Sequence, residues 1–176
     1  MHATLRAHGI SGHGGVRLTP VRRQSRMPIK WHHALHAFAG IKKVVRMEHN
    51  CGLTVRSYEC DAYGHVNNAV YLNYLEFARH AYLRDNGVDM QEVRAAGYGL
   101  LVARVAIEYR RPALTDDQLT ILTRALRKTR IGGVLAQRIV RGEETMAEAE
   151  VTWVCVDARG RPARLPPAFN REGLNP

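Results

Sequence analysis

One stretch of this sequence has the spacing of a long amphipathic helix, and it limits the folds open to the whole chain. Apolar residues recur at steps of three and four on one helical face: Tyr71, Leu75, Ala78 and Tyr82. Polar residues fall on the opposite face: Asn73, Glu76, His80 and Arg84. Asn68 is a good N-cap residue, and Asp85-Asn86-Gly87 is a typical stop signal. The pattern predicts a helix of about five turns over 68–85.

The remaining elements that we predict are mostly strands. Residues 53–58 alternate between apolar and polar before the helix, and 89–96 predict a short helix after it. Four further alternating segments follow, at 100–109, 118–128, 134–140 and 147–156. In the first of these, one face is expected to carry Leu101, Ala103, Val105, Ile107 and Tyr109. Such a sheet needs cover for its apolar face, and only the 68–85 helix is long enough. The predicted class is α+β, with about five antiparallel strands wrapped around one helix.

The positive charge of the chain is concentrated near its start. The formal net charge is +10, and residues 1–50 hold nine of the 26 Lys and Arg but one of the 16 acidic residues. This leaves 17 basic and 15 acidic groups for residues 51–176. We therefore predict a basic, disordered extension over 1–46 and one domain over 47–176. Met27 and Met47 would serve as later starts, and a transit peptide or an arm for anionic lipid or nucleic acid stays open.

Several protein classes are disfavoured by what the sequence lacks. The three cysteines, Cys51, Cys60 and Cys155, have no paired spacing, which argues against a disulfide framework or a cysteine zinc site. No apolar run approaches the ~18 residues of a membrane span, and no phosphate-binding or dinucleotide-binding glycine motif is present. We expect a cytoplasmic protein that uses neither a metal nor another cofactor, and we expect no nucleic-acid partner.

The loop before the long helix places chemistry at a helix N-terminus. Asp61 supplies a carboxylate and His65 an imidazole, and the backbone N–H groups of Val66, Asn67 and Asn68 lead into the helix. A helix N-terminus carries unpaired N–H groups and roughly half a positive charge. A carbonyl oxygen bound there would be polarised, and an oxyanion formed from it would be stabilised. The pattern therefore indicates acyl transfer, although an Asp in a turn also commonly caps backbone N–H groups.

These residues also carry a resemblance to a known family. The run D-A-Y-G-H-V-N-N-A-V-Y from Asp61, followed by E-F-A-R from Glu76, resembles the signature of hotdog-fold thioesterases. The group is the 4-hydroxybenzoyl-CoA thioesterase-like class, and the bacterial long-chain acyl-CoA thioesterases resemble the chain most over about residues 47–165. Plant acyl-carrier-protein thioesterases share H-V-N-N, but they have Asn where this chain has Tyr63, so their Asn–His arrangement does not carry over.

The resemblance implies a fold, an activity and an assembly. The fold implied is the hotdog, and the activity is hydrolysis of acyl-CoA to a free acid and CoA. Asp61 would be the catalytic carboxylate, as general base or as nucleophile, and the loop and helix start would bind the thioester oxygen. A homodimer or homotetramer is expected, with each site drawing on both chains. The alternatives are a non-catalytic acyl-binding hotdog protein and an acyl-carrier-protein thioesterase.

Other residues have both a functional and a structural interpretation. His65 would orient the loop or bind the carbonyl. Glu76 is a second candidate carboxylate, although Arg79 and His80 are spaced to form ion pairs with it. Tyr71 would line the acyl site or simply pack in the core. Cations for the CoA phosphates are candidates at strand ends, with solvated surface charge as the alternative: Arg110, Arg111, Arg127, Lys128 and Arg130.

Overall fold

The computed structural model describes residues 48–176, and the predicted extension over 1–46 lies outside them. Five strands form one antiparallel sheet: β1 (His49–Thr54), β2 (Tyr98–Tyr109), β3 (Gln118–Lys128), β4 (Gly132–Arg141) and β5 (Glu144–Asp157). Their order is β1-β3-β4-β5-β2, so β1 and β2 are the edges of the sheet in this part of the chain. The helices are α1 (Asn68–Asp85) and α2 (Met90–Ala95). None of the helices over 48–176 is long and apolar enough to cross a bilayer.

The long helix packs its predicted apolar face against the sheet. Tyr71, Leu75, Ala78 and Tyr82 are each at most 4% exposed. The first half of α1 contributes to one hydrophobic cluster with β1, β3 and β4, and the second half to another with α2 and the C-terminal segment. Burying each large side chain contributes about 1.5–3 kcal/mol, so the helix and sheet stabilise one another. The predicted α+β class, a five-stranded sheet wrapped around one helix as in the hotdog fold, is confirmed.

The first strand lies earlier than predicted. β1 ends at Thr54, and a single 3-10 turn over Ser57–Glu59 replaces the second half of the strand expected at 53–58. The Glu59 carboxylate accepts a hydrogen bond of 2.7 Å from the Arg56 N–H and thereby turns the chain. Tyr58 is 76% exposed as a result. The alternating pattern was real, but a local side-chain hydrogen bond competed with the strand.

A bulge changes which residues of β2 face the core. Val102 pairs with Trp153 but Arg104 pairs with the preceding Thr152, so one extra residue is inserted in β2. Before the bulge it is Leu100 that packs against the second cluster, whereas the predicted Leu101 is 52% exposed. After the bulge the prediction holds for Val105 and Ile107, which pack against the first cluster.

Candidate active site

The loop between the 3-10 turn and α1 is held closed at its base by backbone hydrogen bonds. Cys60 and Val66 form an antiparallel bridge, and the Asp61 N–H donates to the His65 carbonyl at 2.9 Å. Gly64 has a φ of +80°, a conformation that costs glycine little, and its N–H donates to the Asp61 carbonyl at 3.0 Å. The Asp61 and His65 side chains are thereby brought to the same side of a short, closed loop.

The Asp61 carboxylate uses one oxygen to hold the loop. Its Oδ1 accepts a hydrogen bond of 2.8 Å from the Tyr63 N–H and lies 3.9 Å from His65 Nδ1. Within residues 48–176, Oδ2 makes no hydrogen bond. The side chain is 29% exposed, so solvent reaches it. The turn-capping role that sequence alone left open and an available carboxylate oxygen are therefore both present in one side chain.

The His65 imidazole lies near both the Asp61 carboxylate and the exposed aromatic ring of Tyr63. Its ring is close to parallel with that of Tyr63, at 15° and 6.0 Å between centroids. Tyr63 itself is 83% exposed. The imidazole is 43% exposed, which leaves it able to contact a ligand as well as to orient the loop.

The N-cap of α1 is Asn67, not the predicted Asn68. Its side-chain oxygen accepts from the Ala69 N–H at 2.9 Å, and its carbonyl accepts from the Val70 N–H at 2.9 Å. Sequence could not separate two adjacent asparagines that are equally good caps. Because Asn67 caps the helix, Asn68 is its first residue.

Two of the three predicted oxyanion donors are already occupied. The Val66 N–H donates to the Ala113 carbonyl at 2.9 Å, and the Asn67 N–H donates to the Glu59 carbonyl at 2.9 Å. The Asn68 N–H has no acceptor in the part of the chain that the structure describes. Of the three, it alone is available to a bound oxygen.

Three tyrosines attach the start of α1 to the sheet and to the loop. The Tyr109 hydroxyl donates to the Asn68 carbonyl at 2.9 Å, and the Tyr71 hydroxyl accepts from the Ala113 N–H at 3.2 Å. The rings of Tyr71 and Tyr109 meet edge to face at 5.2 Å. Tyr71 is 3% exposed, so it packs in the core beneath the site. The third, Tyr74, donates to the Glu59 carboxylate at 2.8 Å. Burial raises the pKa of all three phenols, so each stays protonated near neutral pH.

The helix glutamate forms the ion pairs that its spacing predicted. Glu76 pairs with Arg79 and lies 3.2 Å from His80 Nε2. Arg79 is 8% exposed and its guanidinium donates to Gln137 Oε1 at 3.1 Å. Burial lowers the pKa of Arg79, and the pair with Glu76 partly offsets this. Gln137 also donates to the Leu75 carbonyl, so this network ties α1 to β4.

The predicted phosphate-binding cations fall into two groups. Arg110 and Arg111 follow Tyr109 and are therefore near the start of α1. Glu148 lies 3.1 Å from Arg110, and Glu144 lies 3.4 Å from Arg111, so both guanidinium groups already face carboxylates. Their charge is partly balanced before any ligand binds.

The second group lies at the other end of the sheet. β3 begins beside Thr54, close to the loop, and ends at Lys128. Ten residue steps at about 3.3 Å separate these ends by roughly 30 Å. Arg127 and Arg130 are exposed there. Lys128 Nζ is instead buried 5.1 Å from the Trp153 ring centroid without a hydrogen-bond partner among residues 48–176, and burial lowers its pKa. The structure does not bring this group to the Asp61 loop of the same chain.

Sequence reasoning missed Glu59, whose carboxylate lies at the base of the loop and is only 12% exposed. Its partner Tyr74 is 15 residues away, and no local pattern connects the two. The one available signal was its position two residues before Asp61, which in an extended segment places both side chains on the same face.

Comparison with known proteins shows the family of this chain. Residues 55–172 match the family model described as the thioesterase-like superfamily. The chain belongs to the thioesterase-like superfamily. It is 38% identical to the long-chain acyl-CoA thioesterase FadM of Escherichia coli over 113 residues, which cover 63% of this chain and 85% of that one.

A plant relative and a bacterial structure are also similar to this thioesterase-like chain. It is 33% identical over 126 residues, 67% of its length, to the chloroplastic acyl-acyl carrier protein thioesterase ATL3 of Arabidopsis thaliana, and it spans 63% of that relative. The crystal structure of a probable thioesterase from Bartonella henselae superposes with a TM-score of 0.65 at 31% identity, over 68% of this chain and all of that one. The predicted resemblance to hotdog-fold thioesterases is confirmed.

Proposed function

We propose that this protein is a thioesterase that hydrolyses acyl-CoA to a free acid and CoA, with Asp61 as the catalytic carboxylate. The observation that carries the proposal is that two polar groups at the ends of one short loop lack partners within residues 48–176: Oδ2 of the half-buried Asp61, and the Asn68 N–H at the start of α1. A carboxylate next to an oxyanion donor is what cleavage of an activated ester requires. The long-chain acyl-CoA activity named for FadM supports the same substrate class.

Two routes suit this arrangement. In the first, Asp61 Oδ2 takes a proton from a water whose oxygen attacks the thioester carbon. The carbon–sulfur bond then breaks, and the CoA thiolate is released and protonated. In the second, Oδ2 attacks the carbon directly, the carbon–sulfur bond breaks and the CoA thiolate leaves and is protonated; water then hydrolyses the resulting anhydride in a separate step. In both, the carbonyl oxygen becomes negative and accepts the Asn68 N–H at the positive end of α1.

The free edge of β2 supports the expected homodimer. β2 is 12 residues long, pairs only with β5 in the described chain, and exposes Leu101 and Val102. A long exposed strand edge with apolar side chains is a template for pairing with another strand. Two β2 edges joined about a two-fold axis run antiparallel, so the Tyr98 end of one strand meets the Tyr109 end of the other.

This dimer also gives the distant cations a role. The partner's Arg127 and the partner's Arg130 would come to the end of the sheet that holds the Asp61 loop. The phosphates of CoA are separated from the thioester by the long pantetheine arm, so their cations need not be next to Asp61. Arg127 and Arg130 are exposed and have no ion pair within residues 48–176, unlike Arg110 and Arg111. Exposed guanidinium groups are suited to bidentate phosphate binding.

The activity is tested by thiol release from acyl-CoAs of graded chain length and one aromatic acyl-CoA, using the full chain. Thiol release from at least one of these acyl-CoAs supports the proposal. Binding of these acyl-CoAs without thiol release would instead establish the non-catalytic acyl-binding alternative. The same acyl groups carried by acyl carrier protein are assayed in parallel, and the ratio of the two kcat/KM values shows which thioester carrier the protein prefers.

The shared site is tested by mixing two variants. Asp61→Asn removes the carboxylate, and the double variant Arg127→Ala, Arg130→Ala removes the cations. If each site takes its carboxylate and its cations from different chains, refolding the two variants together restores about a quarter of the wild-type sites, because half of the dimers are mixed and each has one intact site. Activity of the mixture equal to the mean of the two variants alone would refute the shared site.

A further inference from the structure

Glu59 is a mostly buried carboxylate at the base of the Asp61 loop, and the proposed chemistry does not use it. Its Oε2 accepts two hydrogen bonds, from the Arg56 N–H at 2.7 Å and from the Tyr74 hydroxyl at 2.8 Å. Its Oε1 lies 3.8 Å from the Arg56 guanidinium. A carboxylate that is 12% exposed is costly unless it is paired and hydrogen-bonded, and here both conditions are met.

The main chain of Glu59 holds the other end of the same loop. Its carbonyl accepts the Asn67 N–H at 2.9 Å, and Asn67 is the N-cap of α1. One residue therefore bonds α1 twice, through its carbonyl at the cap and through its carboxylate at Tyr74, about two turns further along. Asp61 follows Glu59 by two residues in the sequence. Any rotation of α1 against the loop would stretch one of these bonds.

Tyr74 is suited to be the fixed partner in this connection. It is 4% exposed and lies in the core cluster that joins α1 to the sheet. Burial and the hydrogen bond to Glu59 raise the pKa of its phenol, so the hydroxyl remains a hydrogen-bond donor well above neutral pH. A hydrogen bond from a hydroxyl to a carboxylate is roughly twice as strong as a neutral one.

We propose that Glu59 is a positioning residue that joins α1 to the loop and thereby sets Asp61 against the Asn68 N–H. It acts through the loop and does not touch the substrate. This inference rests on the proposed thioesterase function, since its measure is turnover. Displacing a catalytic group by about 1 Å costs up to 100-fold, so loss of the Tyr74 bond is expected to reduce kcat by about 10- to 100-fold with little change in KM.

The chain offers matched variants for a test. Tyr74→Phe removes only the hydroxyl that reaches Glu59. Tyr82→Phe removes the hydroxyl of another 4%-exposed tyrosine on α1, one that donates to the Gly173 carbonyl at the far end of the helix. Glu59→Ala removes the whole carboxylate, whereas Glu59→Gln keeps an oxygen where Oε2 accepts both of its bonds. For each variant, kcat, KM and the urea midpoint are measured on the acyl-CoA that wild type turns over fastest.

A positioning role predicts that Tyr74→Phe and Glu59→Ala reduce kcat and leave KM unchanged. It also predicts that Glu59→Gln recovers most of the lost kcat and that Tyr82→Phe keeps the wild-type kcat. Wild-type kcat in Tyr74→Phe overturns the inference while leaving the thioesterase proposal intact. An equal loss in Tyr82→Phe also overturns it, since general destabilisation of α1 would then explain both. A wild-type protein that hydrolyses no acyl thioester overturns this inference and the proposed function together.

Discussion

The sharpest test of the mechanism is the substitution Asp61→Asn, because it separates the two roles of this side chain. Oδ1 accepts the Tyr63 N–H at 2.8 Å, and an asparagine oxygen can keep that bond. Only the negative charge and the basicity of Oδ2 are lost. The side chain is 29% exposed and the two residues have the same shape, so we expect the free energy of unfolding to change by less than about 0.5 kcal/mol.

The expected loss of activity follows from the role of the lost oxygen. A positioned general base contributes about 10²–10⁴-fold, and each tenfold corresponds to about 1.4 kcal/mol of activation free energy. Asp61→Asn should therefore lower kcat by at least about 100-fold, or about 2.7 kcal/mol, with little change in KM. Steady-state thiol release gives both constants, and a urea titration of the same sample gives stability.

A matched control is Asp157→Asn. The Asp157 Oδ1 also accepts the N–H two residues ahead, from Arg159 at 2.8 Å, in a turn at the end of β5. This variant makes the same chemical change in the same kind of turn and should keep wild-type kcat. An Asp61→Asn protein that is folded and has a kcat within about threefold of wild type would refute the reasoning, because removing a general base lowers turnover by about 100-fold or more.

Three further predictions concern stability and are read from urea unfolding. A Cβ at Gly132 would lie 2.1 Å from a β5 carbonyl oxygen, so Gly132→Ala should destabilise by about 1–3 kcal/mol or more, and a neutral effect would contradict this packing. Gln137 is 2% exposed, and its Oε1 accepts a hydrogen bond of 3.1 Å from Arg79. Arg79→Met removes that donor and should lower the free energy of unfolding by about 1–3 kcal/mol. A more stable variant would mean that the cost of desolvating the arginine dominates. The hydrogen bond from His49 lowers the pKa of Asp85 in the folded protein, so as pH falls the Asp85 carboxylate is protonated at a higher pH in the unfolded chain than in the folded one. The greater stability of wild type relative to Asp85→Asn should thus be present above about pH 4 and shrink below it. A stability difference that grows as pH falls would contradict this reasoning.

Much of the fold was predictable because its signals are local. The face of α1 follows from a 3.6-residue period, and β3 runs over Gln118–Lys128 as its alternation predicts. The errors have non-local or competing causes. The β2 bulge depends on pairing with β5, which no window of the sequence contains. The early end of β1 depends on whether the Glu59 carboxylate reaches the Arg56 N–H.

The candidate site was predictable only in part. The motif predicts that the loop and Asp61 form the site, and spacing correctly predicted the Glu76 ion pairs. Sequence gave no means to tell an occupied backbone N–H from an available one, because the acceptors of Val66 and Asn67 lie 47 and eight residues away, at Ala113 and Glu59. Nor could it show that Lys128 Nζ is buried over a tryptophan ring while its neighbour Arg127 stays exposed.

The magnitudes explain why the loop should be held so firmly. With the N–H groups of Val66 and Asn67 occupied, the Asn68 N–H is the one of the three that lacks an acceptor within residues 48–176, and the proposed mechanism assigns it to the oxyanion. One such donor supplies about 3–4 kcal/mol, and a general base about 3–5 kcal/mol. Enzymes lower the barrier by about 8 kcal/mol or more, so two groups suffice only if both act at full strength. Each depends on distance, and a loop free to shift by about 1 Å would forfeit up to 100-fold. In the proposed site, the hydrogen bonds that Glu59 accepts from the Asn67 N–H and the Tyr74 hydroxyl oppose that shift, so a site with two catalytic groups would depend on the mostly buried Glu59 carboxylate.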